Sequence, residues 1–407
     1  MNGVTLIDRS SYMEQILPFV GKNIIKILVG VRRSGKSTLL GQIQNHLIDD
    51  GVSESSIITM NLESACFANI ADAESLQAYV AARIAKEGKT YAFFDEIQEV
   101  DRWEKALRSF MVDYDMDIYV TGSNARLLSS ELATYITGRY IQIPVYPFSF
   151  EEYLRAKTQE GEGGDQHKVF QDYLELGGFP FQYDLDFQHD PSLKYLTDLY
   201  GTILLKDVVQ RNAIRDANQL ERILDYAIEQ AGHTLSAKNI SDYLKSERRS
   251  VSVDTVYSYL NAAEDACLLY KVQREDAVGK RLLRFNEKYY VVDQGLRRAR
   301  GFSNVDAIDQ MLENIVFMEL LRRGYRVTVG KMGDREIDFI AERDGIREYY
   351  QVAYLLASEA AVEREFSALE AISDNYPKYV LTLDEFPRNR NGIRGVNLIE
   401  WLLGDIE

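Results

Sequence analysis

Short apolar, β-branched runs alternate with helical stretches through the first third of the chain, the order expected of a parallel α/β sheet. The runs Ile24–Val29, Ile57–Asn61, Tyr91–Asp95, Asp117–Thr121 and Tyr140–Val145 read as strands. Helical spacing falls on Ser37–Leu47, Ala73–Ala85 and Trp103–Val112. Ala92-Phe93-Phe94 and Ile118-Tyr119-Val120 are nearly continuous apolar segments, as strands covered on both faces should be. The acidic, Gly-rich stretch Glu160-Gly161-Glu162-Gly163-Gly164-Asp165 then reads as an exposed loop. Helical patterns resume from Gln166 to Ile228, punctuated by Gly177-Gly178-Phe179-Pro180. Residues 232–292 change to two short helices followed by strand, turn and strand. The last section opens with a helix over Met311–Arg323 and continues with strands near Tyr325–Val329, Glu336–Ala341 and Glu348–Tyr354. These changes divide the chain at 1–160, 161–231, 232–300 and 301–407. They predict an α/β domain, a helical linker or lid, a helix pair with a hairpin, and a small α/β unit. No internal repeat is visible.

The chain has 407 residues, with 47 Lys and Arg against 63 Asp and Glu, a net charge of −16. Such an acidic chain is a poor nucleic-acid coat or polybasic membrane binder unless its cations are locally concentrated. Its two cysteines, Cys66 and Cys267, offer no CxxC pair and no disulfide framework, which suits a reducing cytosol. The first residues lack the cationic stretch, apolar block and cleavage site of a secretion signal. Charges such as Lys26, Arg322 and Arg323 interrupt every apolar segment, so no membrane span is expected. A cytoplasmic protein is the expectation. The four histidines show no metal-ligand spacing with cysteines or acids.

Residues 30–37, Gly30-Val31-Arg32-Arg33-Ser34-Gly35-Lys36-Ser37, satisfy GxxxxGK[ST] between a predicted strand and a predicted helix. Gly30 and Gly35 let the backbone curl around phosphates with its N–H groups inward, and the helix adds the positive end of its dipole. Lys36 is expected on the β- and γ-phosphates and Ser37 on Mg²⁺. The expected ATP-binding set is therefore Gly30, Val31, Arg32, Arg33, Ser34, Gly35, Lys36, Ser37 and Thr38.

The strand Tyr91-Ala92-Phe93-Phe94 ends in Asp95-Glu96. In a P-loop protein the first carboxylate supports Mg²⁺ beside Ser37, and the second, Glu96, orients the water that attacks the γ-phosphate. The fourth strand ends Thr121-Gly122-Ser123-Asn124. Ser123 and Asn124 are candidates to contact the γ-phosphate or the attacking water, with a helix cap as the other reading of Ser123. Arg139, just before the fifth strand, is a candidate arginine finger or sensor, in its own chain or across a subunit boundary. Its competing reading is an ordinary surface ion pair.

With these motifs in place the chain resembles the prokaryotic AAA-type ATPases that carry a C-terminal DUF4143 region. The resemblance extends through Thr137-Gly138-Arg139-Tyr140, Tyr146-Pro147-Phe148-Ser149-Phe150, Gly177-Gly178-Phe179-Pro180, Leu204-Leu205-Lys206-Asp207-Val208-Val209, Glu313-Asn314-Ile315-Val316 and Glu336-Ile337-Asp338-Phe339. It implies a P-loop AAA-type domain, a winged-helix region and a C-terminal fold similar to restriction-type nucleases.

The middle region fits a winged helix on its own pattern. A helix from Ser236 through Leu244, a turn at Ser246-Glu247-Arg248-Arg249 and a helix over Asp254–Ala266 precede two strands joined by Asp276–Gly279. Residues 238–288 hold ten Lys or Arg and eight Asp or Glu, a local excess of positive charge against −16 overall. Lys245, Arg248, Arg249, Arg274, Lys280, Arg281 and Arg284 are placed for phosphates. The candidate recognition helix Asp254-Thr255-Val256-Tyr257-Ser258-Tyr259-Leu260-Asn261 has no cation, which favours a protein contact over DNA. Nuclease chemistry would need a helix acid (Glu313 or Glu319), Asp338 and a Glu-x-Lys strand. The third element reads Gln351-Val352-Ala353, so an inactive, retained fold is expected. The reading is an ATP hydrolase coupling nucleotide state to a macromolecular partner, with homo-oligomerisation open. An ATP-gated DNA-binding regulator is the alternative, and an ATP-dependent nuclease ranks below it.

Overall fold

The computed structural model describes residues 7–125, 138–158, 165–246, 249–277 and 279–404, the side chains of 284–286 excepted. Thr137, Arg248, the side chain of Arg284 and the expected loop at 160–165, Asp165 apart, lie outside the described residues. The chain forms two compact units: Met1–Tyr146 with Asp265–Cys267, and Pro147–Glu264 with Leu268–Glu407.

In the first unit the five expected strands form as β1 (Ile25–Val29), β2 (Ile57–Asn61), β3 (Thr90–Asp95), β4 (Met116–Gly122) and β5 (Tyr140–Pro144). Their order across the sheet is β2-β3-β4-β1-β5, and every pairing is parallel. β4 thus lies between the loop strand β1 and the acidic strand β3. All five residues of β1 and all seven of β4 are buried, which is why both read as apolar. The helix Lys36–Asp49 covers one face, with Leu39, Leu40, Ile43 and Leu47 against Leu28, Phe93 and Tyr119. Phe93 and Tyr119 stack at 4.6 Å. The exception to the apolar rule, Lys26, is fully buried and ion-paired with Asp117 on β4. Asp117 also accepts from Tyr119 Oη at 2.8 Å and from the Gly21 N–H at 2.7 Å.

The second unit is helical at first, through Phe150–Thr158, Gln166–Leu176 and His189–Thr202, the last running into a π-helical turn at Ile203–Gln210. The Gly177-Gly178 stretch is explained by a buried carboxylate: Asp293 accepts from the Gly178 N–H at 2.7 Å and the Gly295 N–H at 2.8 Å. Burial pushes Asp293 up to about 6, against the opposing pull of those two bonds. The expected helix pair forms as Ala237–Ser246 and Val253–Asp265. The strands on either side of the helix pair share one sheet, which the local pattern does not predict. β6 (Thr234–Leu235), β7 (Leu269–Asp276), β8 (Arg281–Val291), β9 (Arg326–Met332), β10 (Arg335–Arg343), β11 (Ile346–Val352), β12 (Lys378–Thr382) and β13 (Arg394–Asn397) make a mixed sheet. Its order is β13-β12-β11-β10-β9-β7-β8-β6. The join is the parallel pairing of β7 with β9, Arg274 opposite Val329 and Asp276 opposite Lys331. Local hydrophobic patterning cannot reveal this pairing, because each strand alternates in the same way whichever neighbour it meets.

Candidate nucleotide-binding site

Because the strands are parallel, the ends of β1, β3 and β4 meet at one edge, and the motif residues collect there. The loop leaving Val29 approaches the backbone so closely that a Cβ on Gly30 would sit 2.0 Å from the Val145 carbonyl oxygen. Gly35, at φ 99°, turns the chain into the helix Lys36–Asp49, a conformation open to glycine at little cost. Arg9 holds the loop from behind, a contact the sequence reading missed. Its guanidinium, 2% exposed, donates to the carbonyls of Ser34 at 3.0 Å and Tyr146 at 2.9 Å and lies over the Tyr12 ring. No motif flags it, because a lone arginine before a short helix looks like any surface residue.

Lys36 is buried with its ammonium on the carbonyls of Gly30 and Val31, both at 3.0 Å, and 3.9 Å from Glu96 Oε1. Burial pulls its pKa down, and the nearby Glu96 carboxylate acts against that. The ammonium is therefore held on neutral acceptors that an anionic phosphate oxygen would displace, since charge-assisted bonds are the stronger ones. Ser34 Oγ is buried without a partner, so the loop carries an unused polar atom as well as its N–H groups.

The acidic pair is organised by a residue that sequence reasoning passed over. Thr121 Oγ1 donates to Asp95 Oδ1 and accepts from the Glu96 N–H at 2.9 Å. One fully buried hydroxyl thus joins the side chain of the first acid to the backbone of the second. The Ser37 hydroxyl also bonds Asp95, whose pKa burial pushes up while both hydroxyls pull it down. Glu96 has φ 55°, a left-handed conformation that costs a non-glycine residue on the order of 1 kcal/mol or more. Its carboxylate accepts from Ser123 Oγ at 3.2 Å and from Gln98 Nε2. Thr121→Val, which keeps the shape and removes the hydroxyl, should destabilise the first unit by about 1–3 kcal/mol through the orphaned Glu96 N–H. Thr121→Ser should restore that stability in denaturant unfolding; equal loss in both variants would refute the bridging role.

The remaining expected residues are distributed unevenly. Arg33, Ser37 and Thr38 are exposed around the loop. Arg32 donates both its Nη atoms to Glu63 Oε1 at 3.1 Å. Of the two candidates after β4, Ser123 touches Glu96, and Asn124 follows it half-buried. Arg139 falls at the wrong end of the sheet. Its carbonyl accepts from the Ile25 N–H at 3.0 Å, and Tyr140 pairs with Ile25 at the start of β1. At about 3.3 Å per residue, β1 then separates it from Val29 by roughly 13 Å. Arg139 is not part of its own chain's site, because β5 runs parallel to β1 and begins where β1 begins. The residues that do converge fit a magnesium nucleotide: Ser37 and Asp95 are hard oxygen ligands of the kind Mg²⁺ takes beside phosphates and water.

A family model for an AAA domain matches residues 22–154, and one for a domain of unknown function, DUF8612, matches residues 167–306. The second domain is thus DUF8612 and not the C-terminal DUF4143 region that the resemblance implies. An uncharacterized protein of Haemophilus influenzae is 37% identical over 401 residues, 98% of this chain and 99% of the relative. The uncharacterized protein MJ1544 of Methanocaldococcus jannaschii is 32% identical over 367 residues, 86% of this chain and 79% of its own. Among solved structures, the ORC1 protein of Aeropyrum pernix, in complex with DNA, aligns at TM-score 0.31 and 10% identity over 74% of this chain and 93% of that one. The delta protein of the Bacillus subtilis DNA clamp loader aligns at TM-score 0.29 and 14% identity over 63% of this chain and 87% of that one. Likeness at that level bears on neither activity nor partner.

Proposed function

This chain belongs to the family of AAA-domain proteins that its Haemophilus influenzae and Methanocaldococcus jannaschii relatives represent, and on that premise we propose that it is a magnesium-dependent ATPase. One observation carries the reading: Lys36, Ser37, Asp95, Glu96 and Thr121 converge at one edge of the parallel sheet. Residues Gly30–Thr38 cradle the phosphates through backbone N–H groups, and Lys36 moves from its carbonyls onto the β- and γ-oxygens. Ser37 and Asp95 would hold Mg²⁺, which when bound neutralises charge on the β- and γ-phosphates. Glu96 orients the attacking water and takes up its proton, with Ser123 and Gln98 holding its carboxylate until then. Asn124 lies next to Ser123 for contact with the γ-phosphate.

The C-terminal region, with its winged-helix-like and nuclease-like parts, then carries the nucleotide state to a macromolecular partner in the cytoplasm. A protein partner is favoured over DNA. The exposed residues of the helix Val253–Asp265 itself are Val253, Asp254, Tyr257, Ser258 and Asn261, with no cation among them, whereas DNA contacts rest on phosphate-neutralising Lys and Arg. Arg139 suits a role only at the site of a neighbouring copy in a homo-oligomer. Among the described residues no helix is long and apolar enough to cross a membrane.

Thermal unfolding tests the binding half of this reading. Mg·ATP at about 100 times its Kd should stabilise the protein by about 2.7 kcal/mol, a rise of a few degrees. Lys36→Ala should remove that rise while leaving the nucleotide-free transition in place. An equal rise in both proteins would put the nucleotide elsewhere.

A further inference from the structure

The second unit contains its own buried set of charged groups. Helix Ile308–Arg322 supplies Glu313, and β10 supplies Glu336 and Asp338, two positions apart and so on one face. The register of β10 against β9 shifts between Ile337 and Ile340, at Asp338 itself, an irregularity of the kind that re-aims a side chain. Asp338 is buried, accepts from the Val352 N–H at 2.8 Å, and its own N–H donates to Gln351 Oε1 at 3.4 Å. Asp338 and Gln351, which stands where a nuclease-like fold would carry a glutamate, are therefore adjacent. Ala353 offers no cation to them.

The cation comes from elsewhere in the sheet. Lys288 on β8 is 3% exposed, and its ammonium lies 2.8 Å from Glu336 Oε1 and 3.1 Å from Glu313 Oε2. Tyr290, on the same face of β8, donates to the same Glu313 oxygen at 3.1 Å. Arg274 on β7 covers the other oxygen of Glu336. Two cations thus offset Glu313 and Glu336, and a backbone N–H serves Asp338. A divalent ion placed here would have to displace a buried ammonium that already holds two of the three carboxylates. Among the described residues no three His, Cys, Asp or Glu side chains are grouped as metal ligands.

We propose that the Lys288 ammonium is the resident cation of this cluster, standing in place of a divalent metal and making the C-terminal unit metal-independent. A buried carboxylate needs a compensating charge wherever it comes from. The chain meets that need from β8, so the same residue that closes the site to metal also ties the β7–β8 hairpin to the helix and to β10. This assignment stands whether or not the P-loop binds ATP.

The test uses thermal unfolding of the full chain without nucleotide, in an Asp95→Asn background so that the expected metal ligands beside the P-loop do not contribute a Mn²⁺ response. With Lys288 present, millimolar Mn²⁺ should leave the transition where EDTA leaves it. Lys288→Ala should lower it by roughly 10 °C in EDTA, and Mn²⁺ should recover much of that loss by taking the vacated position. Adding Asp338→Asn or Glu313→Gln should abolish the recovery. Lys288→Arg, which keeps the charge, should stay stable in EDTA, and this comparison decides the matter if Lys288→Ala does not accumulate. The proposal is overturned if Mn²⁺ stabilises the Lys288 protein in a way Asp338→Asn removes. It is equally overturned if Lys288→Ala shows no Mn²⁺ recovery, or if Lys288→Arg falls as far as Lys288→Ala.

Discussion

Glu96→Gln should lower steady-state ATP hydrolysis by about 10²–10⁴-fold, the usual contribution of a positioned general base, while Mg·ATP affinity stays within a few-fold. Glutamine matches the shape of glutamate and can still meet Ser123 and Gln98, but it cannot take a proton from water. The loss should appear in kcat and not in binding, because Lys36, Ser37 and the loop amides are untouched. The backbone around Glu96 makes the position demanding. It sits at φ 55° with its N–H on Thr121 and its carboxylate held by Ser123 and Gln98. Such a strained, over-determined residue marks a place where orientation matters more than stability. Phosphate release measured at saturating ATP, alongside a binding titration, separates the two effects. Hydrolysis surviving unchanged would remove Glu96 from the role of base.

The second large effect is on folding. Asp117→Ala should destabilise the first unit by about 3–5 kcal/mol, the range for breaking a buried ion pair by removing one partner. Lys26 and Asp117 are both fully buried in adjacent strands, and Asp117 also serves Tyr119 and the Gly21 N–H. Its removal leaves a buried ammonium and two donors without their acceptor. The double variant Lys26→Met, Asp117→Ala should recover part of the loss, because it no longer buries an uncompensated charge. Denaturant unfolding of the four proteins of that cycle measures the coupling directly. Additive losses would mean that the pair contributes nothing as a pair.

The first unit was legible because each of its signals is local. The five strands form where the apolar runs predict them, and the loop and the acidic pair after β3 come together at one edge of the sheet, since backbone conformation fixes residue types over a few positions. What could not be read depends on contacts between distant residues. Arg9 buttresses Ser34 across 25 positions and Thr121 bridges the acids across 26 and 25, and neither has a sequence signature. Arg139 misled for the same reason: its place just before a strand is visible, but which end of the sheet that strand begins at is not. In the second unit, local patterning found the helices and the hairpin. It could not show that β7 pairs with β9, nor that Lys288 serves acids on β10 and on the helix Ile308–Arg322.

All of the functional reading depends on the loop after β1 receiving a nucleotide. Isothermal calorimetry of the purified chain with ATP and excess Mg²⁺ measures that uptake without reference to turnover or partner. The account predicts saturable binding of one nucleotide per chain. A flat titration at millimolar nucleotide, with the protein folded, would contradict it.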